Sequence, residues 1–170
     1  MHLLQVQPGE ISDGTEPVDL GQTPADVLVI SAADTEIAGL SAAFGEMSDG
    51  PESMRLANIG NLSHPFTIDK YLDDTATKSR LVIVRILGGQ AYWPYGLEQF
   101  AIRLGQVGVP FVALPGDDKP EESLRRLSTV ADEDYDALWS YLIEGGPDNS
   151  ANFLRYARAM LDDTDKPARS

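Results

Sequence analysis

The sequence predicts a three-layer α/β fold: a mainly parallel sheet with helices on both faces and a helical carboxy-terminal third. Three observations carry this expectation. Apolar runs of strand length alternate with amphipathic stretches of helix length between residues 26 and 130, the trace that a parallel sheet with crossover helices leaves in a sequence. The main runs, such as "DVLVIS" and "RLVIVRIL", are apolar almost throughout instead of at every second position, as strands are when both faces are covered. After residue 130 the helical stretches follow one another with no strand between them.

Taken in order, "LLQVQ" at residues 3–7 reads as a short opening strand, and residues 9–25, rich in Gly, Pro and Asp, as a surface loop. "DVLVIS" (residues 26–31) is the first long strand. The helix after it is expected to be capped by Asp34, with Ile37, Leu40, Ala43 and Phe44 at helical spacing. "SMRLANI" (residues 53–59) is the next strand. "HPFTIDKYLDDTATK" is the next helix, entered at Thr67, with Ile68, Tyr71 and Leu72 on one face. "RLVIVRIL" (residues 80–87) is the clearest strand. "YGLEQFAIRLGQVG" is the clearest amphipathic helix, with Leu97, Phe100, Ala101 and Leu104 on its stripe and Gly105 or Gly108 at its end. "VPFVAL" gives a further strand, and three helical stretches lie between residues 119 and 161.

This order suits a flavodoxin-like sheet of four or five strands. It divides the chain into an α/β domain over residues 1–130, a helical extension over 131–162 that packs on it, at an edge of the sheet, and a flexible tail over 163–170.

The chain of 170 residues is 42% apolar, enough to build a core. Its 27 acidic residues against 13 basic ones give a formal charge of −14. Such a surface repels phosphate backbones and anionic membranes, so neither nucleic acid nor membrane is expected as a partner. There is no cysteine, which removes disulfides and thiolate metal sites. The opening "MHLLQVQPGE" lacks the basic and apolar regions of a signal peptide, and no apolar run approaches the ~20 residues of a membrane span. A cytoplasmic location is the simplest expectation.

Ligands of open parallel sheets bind outside the carboxyl ends of the strands. Three loops are expected there: "SAADTE" (residues 31–36), "GGQAYWPYG" (residues 88–96) and "PGDDKP" (residues 115–120). The second holds the candidate site residues Gly88, Gly89, Tyr92, Trp93 and Tyr95. The glycine pair matches neither G-x-G-x-x-G nor G-x-x-x-x-G-K-[ST], so a tight turn with positive φ explains it better than a phosphate cradle does. The three rings either pack under the following helix, which Pro94 would start well, or face a flat ligand or a partner. Partial burial is expected for Trp93, with Tyr92 or Tyr95 more exposed.

His2 and His64 form no metal-ligand pattern, and His64, directly before Pro65, suits a turn. Asp117 and Asp118 suit a solvated turn better than a hard-cation site. The acids of "DEDYD" complement a helix start. Neither histidine stands in a triad, and no serine sits in a nucleophile elbow. No catalytic or metal-binding residue is assigned.

Several long stretches occur in a telling order: "MHLLQVQPG", "PADVLVISAADTE", "RLANIGNLSHPFTIDKY", "LVIVRILGGQAYWPYGLEQ", "PFVALPGDD" and "LWSYLIEGGPDNSANFLRY". Together they resemble the amino-terminal region of the CobN-type large subunit of aerobic cobaltochelatase, a relative of the magnesium chelatase large subunit. The resemblance runs from Met1 to about Tyr156. It implies a part in ATP-dependent insertion of Co²⁺ into hydrogenobyrinic acid a,c-diamide during cobalamin biosynthesis. It also implies two AAA+ motor subunits and the rest of the large subunit as partners, with ATP and Mg²⁺ serving the complete complex. No family catalytic residue maps onto these residues, so the chain alone is expected to be inactive and to hold no cofactor. Its role is then tetrapyrrole binding or subunit contact. Arg85 and Lys119 are the cations nearest the aromatic loop for a carboxylate-rich ring. The alternatives are a non-catalytic scaffold or a flavodoxin-like small-ligand binder.

Overall fold

A computed structural model describes residues 19–168. The predicted opening strand and most of the loop after it lie outside the described residues. Four strands, β1 (Val27–Ser31), β2 (Met54–Asn58), β3 (Leu81–Ile86) and β4 (Phe111–Pro115), form one sheet in the order β2-β1-β3-β4. Every pairing is parallel, with Val29 opposite Leu56 on one side and Ile83 on the other, and Val84 opposite Ala113. Strand alternation sends Val27, Val29, Leu81, Ile83, Val112 and Leu114 to one face. It sends Leu28, Ile30, Val82, Val84, Phe111 and Ala113 to the other. Both sets are buried, which is why these runs are apolar at successive positions.

The first face is covered by α1 (Asp34–Glu46), α5 (Asp132–Glu144) and α6 (Gly146–Asp162), and the second by α2 (Pro65–Asp74) and α3 (Pro94–Val107). The short α4 (Glu122–Leu127) follows β4, and its Leu124 joins the second face. The three-layer expectation holds. The carboxy-terminal helices, expected at an edge of the sheet, instead complete a face. Tyr135, Leu138 and Leu142 of α5 and Phe153, Leu154 and Ala157 of α6 supply the stripes that cover β3 and β4 beside α1. Beyond α6, Lys166 Nζ donates to Asp134 Oδ1 at 2.9 Å, and the Tyr141 hydroxyl donates to the Pro167 carbonyl at 3.3 Å.

Two helix starts differ from expectation. Asp34 is the first residue of α1 and Ala33 holds the cap position. The Asp34 carboxylate accepts from Asn58 Nδ2 at 2.8 Å instead, tying the start of α1 to the end of β2. Helix α2 begins at Pro65, two residues before Thr67, because His64 caps it: its Nδ1 accepts from the Phe66 amide at 3.1 Å. Proline in the first turn loses no helical hydrogen bond. At the far end of α3 it is Gly108, in the left-handed conformation, that closes the helix.

Candidate functional site

Parallel strands with these crossovers bring the starts of α1, α2 and α3 and the loop after β4 to one edge, the carboxyl edge of the sheet. The loops hold each other there. The Ala32 amide donates to the Arg85 carbonyl at 3.3 Å, and the Gly116 amide donates to the Ile86 carbonyl at 2.8 Å. The three loops expected to share a surface therefore do so.

Chain direction reverses at Gly88 and Gly89, with φ of 95° and 70°, a conformation that side-chain-bearing residues rarely adopt. A short 3-10 turn over Gln90–Tyr92 follows, and Pro94 begins α3. The turn sorts the three rings. Trp93 is turned inward and is 5% exposed. Its Nε1 donates to the Leu62 carbonyl at 2.8 Å, and its ring lies 5.3 Å from that of Phe100. A Cβ on Gly96 would sit 2.0 Å from the Trp93 indole, so only glycine lets the ring lie flat on the first turn of α3. Tyr92 is 54% exposed and Tyr95 is 38% exposed. The Tyr95 hydroxyl donates to Asp69 Oδ1 at 2.8 Å, and that carboxylate raises the phenol pKa above its usual value.

Two further apolar side chains share this edge, and sequence reasoning did not single them out. Phe66 in the first turn of α2 is 62% exposed, and Leu87, directly after β3, is 57% exposed. With Tyr92 and Tyr95 they give this edge an exposed apolar ridge. Their exposure depends on which way each loop leaves its strand, and no local pattern encodes that.

Arg85, expected as a cation for ligand carboxylates, is committed elsewhere. Being an odd-numbered residue of β3, it points to the α1/α5/α6 face and is 8% exposed. Its guanidinium pairs with Glu36 of α1. It also donates to the Pro115 carbonyl at 2.9 Å, the Gly116 carbonyl at 3.2 Å and the Leu142 carbonyl at 3.2 Å. Ser31 completes the cluster, its hydroxyl donating to Glu36 Oε1 at 3.0 Å and accepting from the Ala33 amide at 3.1 Å. Lys119 stands exposed in the loop after β4. In that loop Asp117 Oδ1 accepts from the Lys119 amide at 3.0 Å, which makes it a turn residue. Among the described residues, no three histidine, aspartate or glutamate side chains converge on a point.

The Arg85–Glu36 pair also lines a groove of about 820 Å³ that runs between α1 and the α5–α6 turn. It is lined in part by Gly145, Gly146, Pro147 and Asp148, from the "EGGPDNSANFLRY" stretch.

No family model matches the chain. It is 47% identical over 167 residues to the aerobic cobaltochelatase subunit CobN of Sinorhizobium sp., a match covering 98% of this chain and 13% of that protein. It is 34% identical over 155 residues to the aerobic cobaltochelatase subunit CobN of Pseudomonas aeruginosa, covering 91% of this chain and 12% of that protein. The catalytic subunit of cobaltochelatase from Mycobacterium tuberculosis has a similar fold, with a TM-score of 0.62 and 27% identity over 86% of this chain and 11% of that one. The chain spans about an eighth of the length of the curated relatives it matches, and over that span it belongs to the CobN family of aerobic cobaltochelatase subunits.

Proposed function

We propose that this chain is a contact module of a cobaltochelatase large subunit, an enzyme of the ligase class that inserts Co²⁺ into hydrogenobyrinic acid a,c-diamide at the expense of ATP. In this reading Co²⁺ and the tetrapyrrole are substrates, and ATP and Mg²⁺ are used by AAA+ motor subunits. The assembly works in the cytoplasm, and insertion takes place in parts of the subunit outside these residues. The family role rests on 47% identity over 98% of the chain to a cobaltochelatase subunit.

The module's part rests on one observation, the exposed ridge of Phe66, Leu87, Tyr92 and Tyr95 at the carboxyl edge. Clustered exposed apolar side chains mark interaction surfaces. The ridge favours a polypeptide over the tetrapyrrole because Arg85, the cation closest to it in sequence, is buried and already paired. A ligand rich in carboxylates would meet a chain of net charge −14 with little to offset it.

Absorbance titration of the 170-residue chain with hydrogenobyrinic acid a,c-diamide, run beside capture of the chain by the remaining large-subunit polypeptide, tests this. Capture without a spectral shift is expected. A saturable shift that Tyr92→Ala abolishes would make the ridge a wall for the tetrapyrrole. Cobalt insertion by the isolated chain with motor subunits and ATP would overturn the contact role.

A further inference from the structure

The groove between α1 and the α5–α6 turn is walled by small residues. A Cβ added at Gly39 of α1 would lie 3.6 Å from Ser150 Oγ of α6, an ordinary van der Waals distance, so the helices leave room there for a methyl group. Further along, the facing side chains Ala42 and Ala151 are too small to fill the space between the helices, and Met47 and Leu142 add apolar wall. The volume of about 820 Å³ lies in the ~300–1,000 Å³ range of clefts that hold a ligand or an inserted side-chain cluster.

The charges around it do not cancel. Arg85 and Glu36 neutralise each other, and Arg155 is paired with Asp49. Glu46 and Asp148, both exposed on the lining, have no ion pair among the described residues. Glu46 is also the last residue of α1, whose final turn carries no basic side chain, so its carboxylate adds to the negative end of the helix dipole. The groove is thus walled in part by small and apolar side chains, and its rim carries two carboxylates with no ion-pair partner among the described residues, of which Glu46 also stands at the negative end of α1. Its counterpart is a segment with a small apolar side chain beside a lysine or arginine.

We infer that this groove is a second docking cleft, occupied by a basic, apolar-tipped segment of the large-subunit polypeptide outside these residues. The inference rests on the reading of the chain as part of a longer subunit. The length of that remainder supports the occupant, because the chain spans only 13% of the relative it matches at 47% identity. Charge complementarity supports its chemistry.

The chain has no cysteine, so Ala42→Cys places a reporter thiol on the exposed lining of the groove. Maleimide labelling at this position, read by peptide mass spectrometry, is compared between the 170-residue chain and the full-length large subunit carrying the same substitution. Labelling in the full-length subunit is expected to be slower by about ten-fold or more, as for a thiol that is exposed only when the docked segment leaves. Adding Glu46→Lys and Asp148→Lys to the full-length protein is expected to restore the rate of the free chain. Equal rates in the two proteins overturn the inference. So does protection that survives charge reversal, or protection that appears only when the corrinoid is added. Cobalt insertion by the wild-type full-length subunit, supplied with the motor subunits, ATP, Mg²⁺ and the tetrapyrrole, is measured in parallel. Insertion with an unprotected thiol sinks the groove alone, whereas protection without insertion sinks the enzymatic reading and leaves the groove.

Discussion

Replacing Arg85 by methionine removes one side chain that serves four acceptors on three elements. The guanidinium is 8% exposed and pairs with Glu36 of α1, while its remaining donors meet the carbonyls of Pro115, Gly116 and Leu142. Methionine keeps much of the volume, so the cost is electrostatic. Breaking a buried pair by removing one partner costs about 3–5 kcal/mol, since the other charge is left unpaired. The three orphaned carbonyls push the value toward the upper end. For a domain of this size each kcal/mol lowers Tm by about 2–4 °C, so a fall of about 6–20 °C is expected. Arg85→Met/Glu36→Leu removes the stranded carboxylate and is expected to regain about 1–2 kcal/mol, a coupling normal for residues in contact. Full recovery is not expected, because the carbonyls stay unserved. Urea unfolding of wild type, both single variants and the double variant gives the cycle. A loss below about 1 kcal/mol for Arg85→Met, or strict additivity of the two changes, would refute the keystone role.

The remaining expectations concern the rings. Trp93→Ala should destabilise the chain by about 3–5 kcal/mol in chemical denaturation, the range for a buried large aromatic, because Trp93 is both packed and hydrogen-bonded; a loss under about 1 kcal/mol would contradict its inward placement. Gly96→Ala should expel the indole that lies 2.0 Å from the new methyl position, and a fluorescence spectrum identical to that of the wild type would count against this packing. Tyr92→Ala and Phe66→Ala should leave stability within about 0.5 kcal/mol while weakening capture by the remaining large-subunit polypeptide by about 1 kcal/mol or more. Stability should also fall in alkali. Burial pushes the Tyr135 phenol up to about 12 and raises those of Tyr71 and Tyr156 as well. These groups stay neutral in the folded state while the unfolded chain ionises near pH 10. Their contribution is therefore complete below pH ~10 and is lost as pH rises toward ~12, which thermal unfolding across that window checks. A flat profile would contradict the burial of these hydroxyls.

The sheet was legible because a buried parallel strand is a local statement. "DVLVIS", "RLVIVRIL" and "VPFVAL" are apolar for as long as the strands last, and the strand bounds fall within one or two residues of those runs. Helix starts were less legible, because caps depend on one side chain each. Asp34 is a common cap residue that found Asn58 instead, and His64 is an uncommon one that caps α2. The roles of Arg85 and the rings could not be read locally. Arg85 meets Glu36, Pro115 and Leu142 at separations of 49, 30 and 57 residues. Its position inside an apolar strand was the available signal: a charge there must find a partner on the face it points to. The groove shares this origin, since its walls come from α1 and α6, more than a hundred residues apart for Glu46 and Ala151.

The strand order β2-β1-β3-β4 reverses between β1 and β3. In doubly wound sheets that reversal opens the crevice in which phosphates and flavins lie. Here a buried ion pair lies across the crevice, and a groove opens beside it. The Ser31 hydroxyl is bonded to the Ala33 amide and to Glu36. Glu36 leans in from α1, and the Arg85 guanidinium bridges to β4 and α5. The Ala32 and Ala33 amides and the Arg85 guanidinium already have acceptors inside the protein. A nucleotide or flavin would have to displace a buried ion pair, at a cost comparable to that of Arg85→Met. The fold keeps the topology of a small-ligand binder while its central crevice serves stability. Surfaces open to a partner adjoin that cluster: exposed apolar side chains at the carboxyl edge, and an acidic-rimmed groove that leads from the cluster along α1 to Glu46. They are of opposite character. A partner that spanned both would meet one with apolar side chains and the other with a cation, and that pairing would fix its orientation as well as its place.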